Sequence, residues 1–144
     1  MSIAKPTGIF AFKWLREDGV THGGNRPYKY ELPEGDIPSK WHSNLSRRPI
    51  EVCANGFHCI GTEQILNYDG YGPRLFLVEI AGRFDSNDEK VAVEHIRLIR
   101  EMKYKYNKEG SLVIPIDTNR IPLSYLKKTI VGHGSLGKDP VGVV

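Results

Sequence analysis

Several groups of residues in this 144-residue chain are of types that do chemistry. Gly132-His-Gly-Ser-Leu-Gly137-Lys138-Asp139 has the Gly-x4-Gly-Lys spacing of a loop whose amides and lysine cradle phosphates. Asp139 stands where a magnesium-binding hydroxyl belongs, and Pro140 leaves no helix whose N-terminus would face the phosphates. The segment therefore reads as a glycine-rich tail. His133-Gly-Ser135 supplies one His-x-Ser element of a two-histidine phosphoesterase, and neither His22, His58 nor His95 supplies the second. Cys53, His58 and Cys59, with His22, His42, His95 or His133, are the ligand types of a tetrahedral zinc site. On a strand, however, adjacent His58 and Cys59 point to opposite faces, so no metal is expected and Cys59 reads as a small buried hydrophobe. Glu79 shares a strand face with Leu75 and Leu77. Burial there makes it either a functional carboxylate or, more commonly, half of a structural ion pair with a lysine or arginine.

The formal charge is +3 and the isoelectric point about 8.8. No run of five or six basic residues occurs, so an anionic partner, nucleic acid included, is allowed without being required. Lys103 and Lys105 alternate with Tyr104 and Tyr106, cations interleaved with amphipathic rings, and form the candidate binding surface. Two thiols in a chain large enough to fold unaided read as reduced cysteines rather than a disulfide framework. With no apolar signal core after Met1 and no membrane-length apolar run, the expected location is cytoplasmic, away from membranes.

These residues need elements to position them. Length and an ordinary share of hydrophobic (40%) and charged (26%) residues predict one domain, with a core over residues 8–130 and a flexible tail at 131–144. Gly8 to Leu15 is a short apolar strand, turned at Glu17-Asp18-Gly19. Tyr28 to Leu32 alternates as another strand. Pro49 to Ile60 holds a strand broken at Asn55-Gly56, and Thr62 caps a short helix carrying Ile65, Leu66 and Tyr68. Arg74 to Ile80 has a continuous apolar character, Arg74 and Glu79 aside, as in a strand covered on both faces. Ser86-Asn-Asp-Glu89 fits a capping box. From there Val91, Ala92, Ile96, Leu98, Ile99 and Met102 recur at helical spacing, which predicts the main helix. Tyr104 to Ile116 reads as a hairpin turning at Asn107 to Gly110. The expected class is α+β: a mostly antiparallel sheet with one main helix and one or two short ones.

Two resemblances attach to these motifs. Cys53-Ala-Asn-Gly56-Phe57-His58, then Val78-Glu79-Ile-Ala-Gly82, then Glu89-Lys90-Val91, resembles a small domain of phage and prophage proteins with a Cys-x-x-Gly-Leu/Phe-His core. That likeness implies a phage-encoded protein without an established activity. With no complete catalytic set in the chain, it supports a function in binding a host protein or other macromolecule, with no cofactor. His22, Tyr68 and Glu79, in that order, also resemble the ADP-ribosyltransferase superfamily, although the Ser-Thr-Ser and Glu-x-Glu elements of one branch are absent. That likeness implies the alternative, an NAD-consuming enzyme. His22 would hold the nicotinamide ribose, Tyr68 would wall the nicotinamide, and Glu79 would stabilise an oxocarbenium-like transition state.

Overall fold

Phe10–Leu15, half of it aromatic, and Arg74–Ser86, whose first half is largely apolar, are both strands, β1 and β4, in a computed structural model describing residues 4–21, 27–61 and 64–113. Between them come β2 (His42–Ser43), β3 (Phe57–Cys59) and a short 3₁₀ helix (Leu66–Tyr71). After β4 come β5 (Val91–Met102), β6 (Lys105–Tyr106) and β7 (Leu112–Val113). Among the described residues every strand pairing is antiparallel. The main sheet runs β1-β4-β5-β2, with β3 also pairing β5. Just past β3, Ile60 exchanges both backbone hydrogen bonds with Phe12 of β1, at 2.7 and 2.9 Å. The sheet thus curls until β3 and β1 meet.

The expected α+β class with a main helix is overturned. Among the described residues no helix reaches seven residues, and the molecule is mostly antiparallel sheet. The segment read as a capped helix is a hairpin turn and a twelve-residue strand. Ser86 ends β4, and the Asn87 Oδ1 accepts the amides of Glu89 and Lys90, both at 2.8 Å, closing the turn into β5. The apparent 3.6-residue period has a physical cause in two register shifts between β4 and β5, at Leu77/Val78 and Ala81/Phe84. Val91 and Val93 belong to one core cluster, the same cluster is resumed at Ile96 and Leu98, and Met102 lies in the other. A strand that switches face twice spaces its apolar residues as a helix does. At one shift Gly82 has φ +84°, and a Cβ there would lie 2.7 Å from both Glu94 Oε1 and His95 Cδ2, so the irregularity requires glycine.

The two clusters lie on the two faces of the sheet. One gathers Ala11, Leu15, Tyr30, Phe57 and Cys59 with Phe76, Val78 and Ile80. The other gathers Phe10, Phe12 and Trp14 with Ile60, Ile65, Leu75 and Leu77. β4 is therefore covered on both sides, which explains its apolar run from Leu75 to Val78. Tyr28 to Leu32 forms only an isolated bridge, Val20 to Lys29. The hairpin turn is as the sequence placed it: Asn107 N donates to the Ser111 carbonyl between β6 and β7. Among the described residues no helix is long and apolar enough to cross a membrane.

Candidate functional site

The Cys53-to-His58 motif is a locked turn. Glu51 and Asn55 exchange backbone hydrogen bonds at 2.8 Å, and Cys53 takes the left-handed conformation at φ +66°. Its amide donates to His58 Nε2 at 2.7 Å. With Nε2 accepting, the ring proton sits on Nδ1, which faces the Gly56 carbonyl at 3.1 Å. Burial, helped by the charges of Lys13 and Lys90, lowers the His58 pKa to about 4 and keeps the ring neutral. Gly56, at φ +125°, lets the chain pass so close to β5 that a Cβ would lie 3.2 Å from the Val93 carbonyl. The Cys53 amide, Gly56 and the His58 ring thus hold a turn that leads into β3.

That turn forms one wall of an open cavity of about 860 Å³. Trp14, Tyr28, Tyr30, Phe57, Tyr68 and Tyr71 give it aromatic walls. Tyr28, Tyr30, His42 and Phe57 pack against one another with ring centroids 4.8 to 6.4 Å apart, so this side is braced rather than loose. No aspartate or glutamate is among the described lining residues, whereas Lys13 and Lys90 are.

Lys13 is the unusual member. Alternation along β1 places it on the face of Ala11 and Leu15, and it is only 9% exposed. Its Nζ donates to the His58 carbonyl at 2.5 Å and lies 5.3 Å from the centre of the Tyr30 ring. Among the described residues no carboxylate forms an ion pair with it. Burial lowers its pKa from 10.5 to about 8, against a smaller opposing effect of Cys59. The neighbouring Cys59 thiol is pushed up to about 12, again by burial, and stays protonated at neutral pH. Among the described residues the cavity therefore holds one buried amine, its pKa lowered to about 8, with no carboxylate paired to it.

Residues 9–108, which include every wall residue named above, match a family described as a domain of unknown function, DUF7666. The chain belongs to this family. No curated protein and no solved structure matches it.

Of the residues singled out in the sequence, Tyr68 lies at this cavity and Glu79 does not. The Tyr68 hydroxyl donates to Glu89 Oε2 at 2.5 Å, and that bond pushes its pKa up to about 12. Glu79 is 2% exposed on the face shared with Leu75 and Leu77. Its Oε2 accepts the amides of Thr7 and Gly8 at 2.8 and 2.9 Å. Its Oε1 accepts from Arg97 Nε at 2.8 Å and lies 2.7 Å from the second guanidinium nitrogen. Both oxygens are thus occupied in tying the N-terminal segment and β5 to β4. His22 lies outside the described residues, as do His133 and the Gly132 to Asp139 loop.

Tyr104 and Tyr106 anchor the second hairpin. Tyr104 donates to the Pro73 carbonyl and Tyr106 to Asp69 Oδ2, both at 2.7 Å, while Tyr106 keeps 47% of its surface exposed. Lys103 and Lys105 are exposed beside them. Cys53 is exposed and Cys59 buried. Among the described residues no three histidine, cysteine or acidic side chains converge as a metal group. Sequence reading missed Lys13. Its signal was a lysine at an inward position of an otherwise apolar strand, Ala11-x-Lys13-x-Leu15.

Proposed function

We propose that this domain binds a small anionic ligand with a planar, apolar body, its anionic group paired with Lys13 and its body held between the aromatic walls. The observation that carries this reading is the buried Lys13 amine, facing a cavity without a lining carboxylate among the described residues. An ammonium taken out of water is costly unless paired, and a bound anion supplies the missing partner. The cavity volume also falls within the range of small-molecule sites, roughly 300–1,000 Å³.

Two other readings have less support. A transferase acting on NAD needs a carboxylate beside the sugar, whereas both oxygens of Glu79 are engaged away from the cavity. Recognition of a host macromolecule through Tyr104, Tyr106, Lys103 and Lys105 would use a surface whose two tyrosine hydroxyls are already bonded within the molecule. The resemblance to phage domains brings no activity that would favour either.

Thermal unfolding with matched ligand pairs tests the proposal: benzoate against benzamide, and adenosine monophosphate against adenosine. At a hundred times its dissociation constant a ligand adds about 2.7 kcal/mol, a readily measured shift. At least one anion should raise the melting temperature, its neutral counterpart should not, and Lys13→Met should abolish the effect. Equal shifts from anion and neutral counterpart, no shift from any, or an undiminished shift in Lys13→Met would refute the reading.

A further inference from the structure

The same amine is suited to more than charge pairing. We infer that Lys13 is a carbonyl-binding nucleophile: the cavity takes an anionic aldehyde or 2-oxo acid, whose carbonyl carbon Lys13 Nζ holds as an imine. This deepens the anionic-ligand reading and rests on it for the choice of ligand.

Three features of the site support the inference. Lys13 lines the cavity and its Nζ is fixed by one hydrogen bond, to the His58 carbonyl, so the nitrogen is positioned, among the described residues, without a carboxylate that would hold its proton. Burial outweighs every other influence on the amine and brings its pKa to about 8, which gives it a larger neutral fraction at pH 7 than an unperturbed lysine has. The neighbouring side chains do not compete for the electrophile: the Cys59 thiol is kept protonated by burial, and the His58 ring is tied at both nitrogens. Lys90 supplies a second cation in the wall for the carboxylate of the ligand once the amine is engaged with the carbonyl.

The step is balanced within amine and ligand. The Nζ lone pair forms the C–N bond, the carbonyl π pair moves to oxygen, and one nitrogen proton passes to that oxygen, giving a carbinolamine. A second proton, from solvent, lets the hydroxyl leave as water while the nitrogen lone pair forms the C=N bond of the iminium, and loss of the remaining nitrogen proton to solvent gives the imine. No oxidant or reductant is needed, and the iminium form keeps the positive charge at the site.

Reductive trapping tests this. The protein is treated with glyoxylate and sodium cyanoborohydride, whose hydride reduces the iminium to a stable secondary amine, and modified lysines are mapped by mass spectrometry. At pH 7 an amine of pKa about 8 has a far larger neutral fraction than an ordinary lysine, so Lys13 should be labelled about tenfold or more faster than Lys108. Its labelling rate should rise to a plateau above pH 8, and excess benzoate should suppress it. Lys13→Arg, which keeps the cation but forms no such imine, should still bind benzoate by tryptophan fluorescence. Labelling of Lys13 no faster than of Lys108, while wild type binds benzoate, overturns the imine and leaves the binding reading standing. Absence of binding by both benzoate and adenosine monophosphate in wild type counts against the binding reading, and Lys13 labelling under those conditions would still support the nucleophile.

Discussion

Replacing Lys13 by methionine should make the domain more stable, not less, at neutral pH. The side chains are of similar length, so the substitution removes a buried charge without opening a void. Burial lowers the amine from 10.5 to about 8 in the fold. At about 1.36 kcal/mol per pKa unit, the charged lysine costs the folded state roughly 3 kcal/mol at pH 7. The His58 carbonyl loses its donor in the variant, a loss of about 1 kcal/mol, which leaves a net gain of about 2 kcal/mol. Between pH 8 and 10.5 the unfolded chain binds more protons at this residue than the folded chain does, so wild-type stability rises with pH through that window. By pH 9.5 the wild type should recover about 2 kcal/mol relative to Lys13→Met, and the two proteins should converge. Urea unfolding followed by tryptophan fluorescence at pH 7 and pH 9.5 measures both quantities. A variant less stable than wild type at pH 7, or a difference independent of pH, would refute the account of Lys13 as a buried, uncompensated amine.

Other sites give further expectations. His58 is neutral in the fold with its pKa lowered to about 4. Between pH 6.5 and 4 only the unfolded chain takes up that proton, and stability should fall by about 2 kcal/mol, allowing for partial exposure. His58→Gln should show a shallower acid loss in urea midpoints, and an unchanged slope would contradict the assignment. Glu79→Gln puts an amide donor among the Thr7, Gly8 and Arg97 donors and should cost about 3 kcal/mol, read as a lower melting temperature. An unchanged melt would mean that the carboxylate is not holding these segments. Gly82→Ala should cost about 2 kcal/mol or more, because its φ of +84° and the 2.7 Å approach of His95 Cδ2 leave no space for a methyl group. A loss below about 0.5 kcal/mol in urea unfolding would mean that the β4 irregularity tolerates side chains.

What the sequence determined by itself is local. The apolar runs of β1 and β4, the Asn107 to Gly110 turn and the shared face of Leu75, Leu77 and Glu79 follow from alternation and turn chemistry over a few residues. Non-local pairing decided the rest. Val91 to Met102 carries a spacing that helix and twice-shifted strand satisfy equally, and its pairing with β4, β3 and β2 settles the ambiguity. Glu79 was legible as buried, but its partner Arg97 is set by register across the β4–β5 hairpin. The cavity was least legible of all. Lys13 meets the His58 carbonyl 45 residues away only because the sheet curls until Ile60 pairs with Phe12. Its altered chemistry comes from burial, a property that belongs to the assembled walls and to no segment of the chain.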